Sequence, residues 1–464
     1  MLEFTKIEKD VLKIKDYLNL TDGKICDLSV GVRYMWRDEY VNEYAVYNNT
    51  LILKETGPDY QEVFYFPIGS DVEGALTKIE EFARSKNITL SFGCLTEEQA
   101  NFIKNRYTFV DISFDRDWCD YIYEAEKFKT YSGKKLSGQR NHVNKFKKLY
   151  PDYKFKVVTK DDLERIKEFF VEFKKSRTLS DEESSELCEA IDLTENMFEL
   201  DQLGGFIEVD GKIVAFSLGE VVGQTLIVHV EKGLTCYEGV YPTMAKEFAT
   251  AFASDSVKYM NREEDCGDTG LRTSKMQYRP LELANKNYAV VNTLFDKISA
   301  PVYIKTERIT ISDIEQSDKL LYQKLYLDDE LNKWWGYDYR EDLNGKEPTE
   351  DYFFNFQNSL KSEKEEYDFA VKKDGYLIGE LALHNFDYFG GVEIGFRFFK
   401  KYQGKGFAYE SATALINYCK TTLGVKTIKA KCLKENLPSK RLIEKLGFLS
   451  INEDKKYFYF EIKL

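Results

Sequence analysis

The chain has 464 residues, of which 43% are hydrophobic and 31% are charged, with only 8 prolines. At roughly 100–200 residues per domain, this length predicts two to four domains, and the composition excludes a collagen-like or broadly disordered chain. The net charge of −13 argues against a protein that coats DNA or RNA non-specifically, because such proteins are normally basic.

The negative charge is concentrated in residues 1–300, because residues 301–464 carry 26 Lys and Arg against 27 Asp and Glu. The eight cysteines form no CxxC pair and there are three histidines, so we expect no metal site. Dispersed cysteines and an N-terminus without an apolar signal segment predict a cytoplasmic protein. No stretch reaches 18 uninterrupted apolar residues, so we expect no membrane span.

The first clearly predicted helix covers residues 71–86, where apolar side chains recur at helical spacing. A strand-like segment and another helix follow, and the two kinds of element keep alternating to about residue 300. This alternation predicts mixed α/β domains, that is, an α/β fold with mixed sheets. The proposed divisions of the chain are 1–125, 126–300 and 301–464.

Residues 126–300 contain two charged segments of interest. The first is a basic run that is either a solvated helix face or a phosphate-binding surface: Lys134, Lys135, Arg140, Lys145, Lys147 and Lys148. The second mixes both signs and is either a pocket for an amine or amino acid or an internal salt-bridge network. Its candidate substrate-binding residues are Glu264, Asp265, Arg272 and Lys275.

The segments 131–146, 239–242 and 261–275 resemble a bacterial family related to the soluble catalytic half of phosphatidylglycerol lysyltransferases. That family is built from two fused GNAT-like folds, so the resemblance implies two such units within residues 1–300. The lysyltransferases take an aminoacyl group from tRNA, which would make tRNA a partner of this region. The turn at Gly239 has one glycine, an acid and a proline, and it reads as a poor pyrophosphate loop.

The elements of residues 301–464 can be followed one by one. Asp374-Gly375 is a type I′ turn signal between two strand-like runs, which predicts a hairpin. A strand with an internal glycine spans 391–399, and a helix follows Ala408. Asn436 is placed to cap a further short helix, and a strand closes the chain.

A glycine-rich turn, Gln403-Gly404-Lys405-Gly406-Phe407-Ala408, lies between that strand and the helix. Glycines let the backbone approach an anion closely, and the first amides of a helix have no intrahelical partner. The turn is therefore either an anion site, which a pyrophosphate would fit, or a purely structural turn, because it has no third glycine and no Gly-Lys-Ser or Gly-Lys-Thr ending.

Gln403-x-x-Gly406-x-Ala408, followed by Asn436-x-x-Ser439 and Glu444-Lys445-Leu446-Gly447-Phe448, resembles the signatures of GNAT acetyltransferases. The likeness covers about residues 303–464 and is nearest the ribosomal-protein N-acetyltransferase branch. It implies a third GNAT-like unit that uses acetyl-CoA. The implied coenzyme-binding residues are Ile394, Phe396, Phe398, Gln403, Gly404, Lys405, Gly406, Phe407, Ala408, Asn436 and Ser439.

Many GNAT enzymes carry a tyrosine where this chain has Ile443, and that tyrosine is thought to protonate the departing thiolate. Ser439 is therefore the candidate for a hydrogen bond to the departing sulfur. The alternative is that it is only an early-helix residue beside the Asn436 cap. The acceptor amine must also lose a proton. The candidates near the expected cleft are Glu380, His384 and Glu393, each of which could equally be structural.

These patterns predict an N-acetyltransferase that moves acetyl from acetyl-CoA directly to a primary amine of a small molecule or peptide. Trp334 and Trp335 either line the acceptor cleft, as similar segments do in the branch, or pack in the core. One alternative is an aminoacyl-tRNA-dependent transferase centred on residues 126–300. Another is a non-catalytic acyl-CoA-sensing protein. The sequence names no acceptor.

Overall fold

The computed structural model describes residues 2–8, 10–335, 338–343 and 346–464, with only the backbone of residues 341 and 342. It contains three mixed sheets, which confirms the predicted α/β fold with three sheet-based units. The chain forms two compact units: Met1–Phe102 with Ile112–Val290, and Ile103–Asp111 with Val291–Leu464. The divisions near residues 125 and 300 remain a prediction.

The first unit is built mainly from the elements of residues 5–292. The strands are β1 (Thr5–Lys6), β2 (Val41–Tyr47), β3 (Thr50–Thr56), β4 (Glu62–Tyr65), β5 (Ile68–Gly69), β6 (Leu90–Leu95), β7 (Phe109–Phe114), β8 (Asp120–Glu124), β9 (Lys154–Val157), β10 (Leu203–Val209), β11 (Lys212–Val222), β12 (Thr225–Gly233), β13 (Tyr259–Asn261), β14 (Glu282–Ala284) and β15 (Asn287–Asn292). The α-helices are α1 (Lys15–Leu18), α2 (Val30–Met35), α3 (Val72–Lys86), α4 (Glu97–Arg106), α5 (Ala125–Thr130), α6 (Ser137–Leu149), α7 (Leu163–Lys175), α8 (Asp181–Glu195), α9 (Val240–Phe252) and α10 (Thr269–Gln277).

Helix α3 illustrates why the local sequence folds as it does. The Asp71 side chain accepts a hydrogen bond from the Gly74 amide at 2.9 Å, which caps the first turn. Asn87 ends the helix in the left-handed conformation. The predicted apolar stripe is buried, as the periodicity requires: Ala75, Leu76, Ile79, Phe82 and Ala83. The helix predicted over 71–86 is thus confirmed.

The first sheet has the strand order β1-β2-β3-β4-β6-β15-β7, with β5 paired to β3. The second sheet has the order β14-β8-β13-β12-β11-β10-β9. Strand β15 follows directly on β14 in the chain, yet it belongs to the first sheet and lies between β6 and β7. The chain therefore returns to its first sheet after completing the second.

The last 165 residues supply the third sheet and its helices. The strands are β16 (Tyr303–Lys305), β17 (Thr310–Asp313), β18 (Glu366–Lys373), β19 (Tyr376–His384), β20 (Gly391–Phe398), β21 (Thr427–Leu433), β22 (Leu449–Glu453) and β23 (Tyr457–Lys463). The α-helices are α11 (Lys319–Tyr326), α12 (Asp329–Asn332), α13 (Tyr339–Leu343), α14 (Tyr352–Ser362), α15 (Phe407–Tyr418) and α16 (Leu437–Lys445). The strand order is β16-β17-β18-β19-β20-β21-β23-β22.

The predicted hairpin joins β18 to β19, and both Asp374 (φ +51°) and Gly375 (φ +81°) have positive φ, as a type I′ turn requires. Register then sets which side chains share a face of the sheet. One face is apolar and joins the core with helix α15. The opposite face carries the polar side chains of the three central strands: Glu366, Asp368, Glu380, His384, Glu393 and Arg397.

In the described part of the chain, no helix is both long enough and apolar enough to span a bilayer.

Candidate active site

The glycine-rich turn forms the start of helix α15, as the sequence predicts. Gly404 and Gly406 have φ of +72° and +85°, in the left-handed region that glycine tolerates best. Gly406 is the N-terminal cap residue of α15. The Gln403 side chain donates a hydrogen bond to the Phe398 carbonyl at 2.9 Å, which ties the turn to the end of β20. The loop therefore presents free helix-start amides from a fixed position.

The space above this loop differs sharply from that above the corresponding turn in the second sheet. A β-carbon built on Gly406, which begins α15, would meet the Nη2 of the Arg308 side chain at 3.2 Å, and one built on Gly404 would meet no atom within 4 Å. One built on Gly239, which begins α9, would lie 2.4 Å from the His142 carbonyl oxygen of α6. Protein backbone thus occupies the position over Gly239, whereas the Gly404 turn is open. The geometry agrees with the poor pyrophosphate loop expected at Gly239.

Arg308 borders the open loop and was not predicted as a site residue. Its Nη1 donates to the Lys405 carbonyl at 3.1 Å, and its guanidinium carbon lies 4.6 Å from the centre of the Phe407 ring. Glu410, in the first turn of α15, accepts from Arg308 Nε at 2.6 Å and holds the side chain. Arg308 therefore supplies a fixed positive charge beside the free amides. A contact across 100 residues has no local sequence signal.

Strands β20 and β21 run parallel for only three residue pairs, from Gly391–Thr427 to Glu393–Lys429. β20 continues to Phe398, still paired with β19 on its other side, whereas β21 continues in pairing with β23. Within the described residues, the edge of β20 from Ile394 onward therefore has no strand partner on the β21 side. This gap in strand pairing ends at the glycine-rich turn. It leaves backbone groups of β20 available to an extended ligand.

Ser439 and Asn436 lie at the start of α16. The Asn436 side chain accepts a hydrogen bond from the Ser439 amide at 3.2 Å, which confirms the predicted helix cap. Among the described residues, no hydrogen bond engages the Ser439 hydroxyl, and the residue is half-buried. Ile443 is buried in the core. The hydroxyl of Ser439 is thus available, and its catalytic role stays a prediction.

His384 and Glu393 lie opposite each other on β19 and β20, at the closed end of the gap. His384 Nε2 is 3.8 Å from Glu393 Oε1. Burial lowers the pKa of His384, with Glu393 opposing the shift. Glu393 also accepts a hydrogen bond from Asn385 at 3.0 Å and lies 3.4 Å from Lys431 Nζ. Because the pKa of His384 is lowered, its imidazole is neutral at neutral pH and can accept a proton from a reacting group.

Glu380, the third predicted proton acceptor, is fully buried against Arg397, whose Nη2 donates to it at 2.5 Å. The Arg397 guanidinium lies 4.5 Å from the Trp335 ring centre, and Trp335 itself packs on Gly395, where a β-carbon would lie 3.2 Å from the ring. Trp335 therefore covers β20 at the gap. Trp334 is half-buried, with Lys333 Nζ 4.7 Å from its ring; the next two residues lie outside the described chain.

In the first unit, Glu264 joins a buried cluster centred on Lys286. The Lys286 ammonium lies 2.6 Å from Asp27, 3.0 Å from Asp120 and 3.2 Å from Glu264. Cys26 Sγ is 3.3 Å from the same nitrogen. Burial raises the pKa of Asp120 to about 7, with Lys286 opposing the shift. Three carboxylates converge here, and the chain's own lysine occupies the centre.

Asp265, Arg272 and Lys275 lie beside this cluster and make internal contacts. Asp265 is fully buried and accepts hydrogen bonds from Arg272 at 2.7 Å and Arg116 at 2.9 Å. Lys275 is buried and donates to the Arg262 carbonyl at 2.6 Å, and further to the carbonyls of residues 263 and 264. These contacts agree with the salt-bridge interpretation of the segment. Substrate binding by the three residues stays a prediction.

A buried histidine that was not predicted as a site residue contacts Glu263, which directly precedes Glu264 and Asp265. His229, on β12, has Nδ1 2.8 Å from Glu263 and Nε2 3.0 Å from Glu220. Burial lowers the pKa of His229, but its hydrogen bonds to the two glutamates outweigh burial and raise it to about 9. His229 is therefore a cation between two carboxylates. A lone histidine in an apolar strand gives no sign of this arrangement.

Comparison with known proteins defines the class to which this architecture belongs. Residues 19–290 match the family described as phosphatidylglycerol lysyltransferase, C-terminal, and residues 308–449 match the acetyltransferase (GNAT) domain. The first match covers more than half of the chain. The chain belongs to the phosphatidylglycerol lysyltransferase C-terminal family and carries a GNAT acetyltransferase domain after it, which confirms both resemblances.

Two curated relatives and one solved structure are similar to parts of this chain. The uncharacterised N-acetyltransferase YjdG of Bacillus subtilis is 32% identical over 165 residues, which cover 34% of this chain and 95% of the relative. The uncharacterised N-acetyltransferase p20 of Bacillus licheniformis is 29% identical over 144 residues, covering 31% and 80%. A crystal structure of a protein of unknown function from Bacteroides thetaiotaomicron, 30% identical, covers 63% of this chain and 100% of its own, with a TM-score of 0.60. The protein is thus an acyltransferase.

Proposed function

We propose that the C-terminal unit transfers an acetyl group from acetyl-CoA to a primary amine of a small molecule or peptide. The observation that carries this proposal is the open glycine turn, Gly404 to Gly406, at the start of α15 and at the end of the β20–β21 gap. An anion site and an unpaired strand edge, in continuity, suit a ligand that has a pyrophosphate and an extended amide-containing arm.

The residues present fit that ligand. Amides from Gly404 to Ala408 would bind the pyrophosphate, and the Arg308 guanidinium would add a charge-assisted contact. The free edge of β20, from Ile394 through Phe396 to Phe398, would hydrogen-bond the pantetheine arm as a strand does. Lys405 and Phe407 belong to the same loop, and Gln403 keeps it attached to β20.

Acetyl-CoA, when bound, supplies the thioester carbon: the amine nitrogen forms a bond to it, and the carbon–sulfur bond breaks. Ser439 would donate a hydrogen bond from its hydroxyl group to the sulfur, where negative charge develops. A donor aimed at charge that exists only in the transition state raises the rate without tightening ground-state binding. Asn436 would fix the helix start that positions Ser439.

Removal of the amine proton is the task for the pair His384 and Glu393. Both flank the closed end of the gap, and the lowered pKa of His384 keeps the imidazole neutral and able to accept a proton. Glu380 is less suited to this step, because Arg397 already pairs with it. Trp335 would form the wall of the acceptor cleft above Gly395.

The test is thiol release from acetyl-CoA by the full chain, screened against amines, polyamines, aminoglycosides and peptides, together with calorimetry of CoA binding. The proposal expects CoA binding and amine-dependent thiol release. Tight CoA binding without turnover on any amine would instead favour the acyl-CoA-sensing alternative. Absence of CoA binding would refute the proposal.

A second candidate function belongs to the first unit. Its membership of the lysyltransferase-related family and the exposed positions of Lys134, Lys135 and Lys148 favour an aminoacyl-tRNA-dependent transfer. Two other basic residues of that run are partly neutralised: Lys145 lies 2.5 Å from Glu238, and Lys147 lies 3.7 Å from Glu247. A gel-shift assay of the full chain with aminoacyl-tRNA would test this function. Absence of binding even at low salt would exclude it.

A further inference from the structure

Three carboxylates gather on the polar face of the third sheet, beside the proposed acetyl-transfer site. Asp368 on β18 lies directly across from Ala382 on β19, which in turn lies across from Gly395 on β20. Glu380 occupies the next position of the same face on β19, and Glu366 begins β18. The cluster thus lies one to two strand spacings, about 5–10 Å, from the strand that borders the gap.

The cluster is short of hydrogen-bond donors. The Tyr322 hydroxyl is 3.3 Å from Asp368 Oδ2, and Arg397 donates to Glu380 Oε1. The other oxygens, Asp368 Oδ1 and Glu380 Oε2, are buried and have no hydrogen-bond partner among the described residues. Both side chains are more than nine-tenths buried. Buried acceptors without donors cost free energy, so this arrangement calls for a further donor.

The charges of the cluster, considered apart from its hydrogen bonds, also call for a further positively charged donor. Three carboxylates face the single guanidinium of Arg397, which is held between the rings of Tyr326 and Trp335. Burial, together with the neighbouring Glu366 and Glu380, raises the pKa of Asp368 well above its ordinary value. A buried carboxylate group of this kind retains a proton unless a cation joins it.

An alkylammonium group meets both requirements. It carries one positive charge and three N–H donors in a compact head, which matches three carboxylates converging from two strands. A guanidinium is wider, and Arg397 already fills the neighbouring position between two aromatic rings. Glu366 is half-buried rather than fully buried, which leaves the cluster a route to solvent.

We propose that Glu366, Asp368 and Glu380 form a subsite for a second ammonium group of the acceptor, so that the substrate is a diamine or polyamine. This inference rests on the proposed acetyltransferase function. The reacting nitrogen lies at the β20–β21 gap, and the remote ammonium lies over β18 and β19. The separation of about one to two strand spacings requires several methylene groups between the two nitrogens.

The experiment compares acceptors that differ only in the remote group, with acetyl-CoA and the full chain. The four probes are 1,4-diaminobutane, 4-amino-1-butanol, butylamine and 4-aminobutanoate. We expect kcat/KM for the diamine to exceed that for the amino alcohol at least 10-fold, and 4-aminobutanoate to be the poorest acceptor. Equal values for the diamine and the amino alcohol would overturn the proposal, as would failure to acetylate any diamine by protein that binds CoA.

Isosteric variants test whether Glu366 and Asp368 cause the preference for the diamine. Glu366→Gln and Asp368→Asn should each remove most of the preference for the diamine while leaving kcat/KM for butylamine within about 2-fold. Glu365→Gln is the matched control, because it removes the same charge from the adjacent, exposed residue. Loss of the preference in the control but not in Glu366→Gln would refute the subsite. If Asp368→Asn fails to fold, the half-buried Glu366 still gives a decisive result.

Different experimental results would refute the subsite and the proposed function. If wild-type protein binds no CoA, the acetyltransferase proposal itself falls. If it binds CoA and acetylates monoamines as well as diamines, the function stands and the subsite is wrong. Calorimetry of CoA with Glu366→Gln should match the wild type, since the cluster lies away from the glycine-rich turn.

Discussion

Arg308 lies beside Gly406: its Nη2 is 3.2 Å from the point where a β-carbon on that glycine would stand. The two residues are 98 positions apart, and Glu410 and the Lys405 carbonyl hold the guanidinium in place. A positive charge held by these contacts thus borders the loop at the start of α15. The contact defines one side of the proposed pyrophosphate site.

We therefore expect Arg308→Ala to weaken CoA binding about 10–100-fold, the scale of one charge-assisted hydrogen bond. Calorimetry with CoA and with 3′-dephospho-CoA distinguishes the phosphates: a loss seen with both ligands points to the pyrophosphate. Lys420→Ala, an exposed cation near the far end of the helix, is the control and should bind normally. Equal affinity of Arg308→Ala and wild type would remove Arg308 from the site.

Gly406→Val should abolish CoA binding, because the new side chain would fill the space over the helix-start amides. The comparison variant is Gly375→Val in the β18–β19 hairpin, where φ is +81° against +85° at Gly406. Both substitutions carry similar backbone strain, but a β-carbon on Gly375 meets nothing within 4 Å, and Gly375 lies in a hairpin turn and not at a helix start. Unchanged CoA affinity in folded Gly406→Val would contradict the loop assignment.

Ser439→Ala should lower kcat by on the order of 10–1000-fold with little change in acetyl-CoA affinity, since the hydroxyl acts on charge that develops in the transition state. Single-turnover acetyl transfer is the measurement, and Ser450→Ala on the exposed strand β22 is the control. A wild-type rate would leave Ser439 with a structural role.

Substitution of Asn436, the helix cap beside Ser439, should have a different effect. Asn436→Ala removes the acceptor of the Ser439 amide and should cost about 1 kcal/mol of stability, as lost helix caps do. Denaturant unfolding measures this loss. A stable Asn436→Ala variant with the same kinetic defect as Ser439→Ala would indicate that the cap acts mainly by positioning the serine.

His229 should make the stability of the first unit depend on pH. Its pKa is raised from an ordinary value of about 6.5 to about 9 by Glu220 and Glu263. The stabilisation is therefore complete below pH 6.5 and is lost as pH rises through 9, by at most on the order of 3 kcal/mol. The difference in unfolding free energy between wild type and His229→Gln should shrink over this range, whereas that for the exposed His142→Gln should stay flat.

The parts of the site that depend on neighbouring residues could be predicted from the sequence. The glycine turn, the Asn436 cap and the Asp374-Gly375 hairpin are each set within about four residues by φ preference or capping chemistry. Arg308 could not be predicted, because its partners lie about 100 residues away. The same holds for Lys286, whose ammonium meets Asp27 and Asp120 only after two sheets have assembled.

The placement of β15 between β6 and β7 has a consequence for the order in which a ribosome-bound chain can fold. The first sheet lacks an inner strand until residues 287–292 have been made, although its other strands are complete by residue 114. Until then the edges of β6 and β7 remain unpaired and open to wrong partners. At about 5–20 residues per second, that interval lasts on the order of ten seconds or more. A nascent chain arrested before residue 287 should thus be protease-sensitive in its first sheet, and one arrested well beyond residue 292 should be protected.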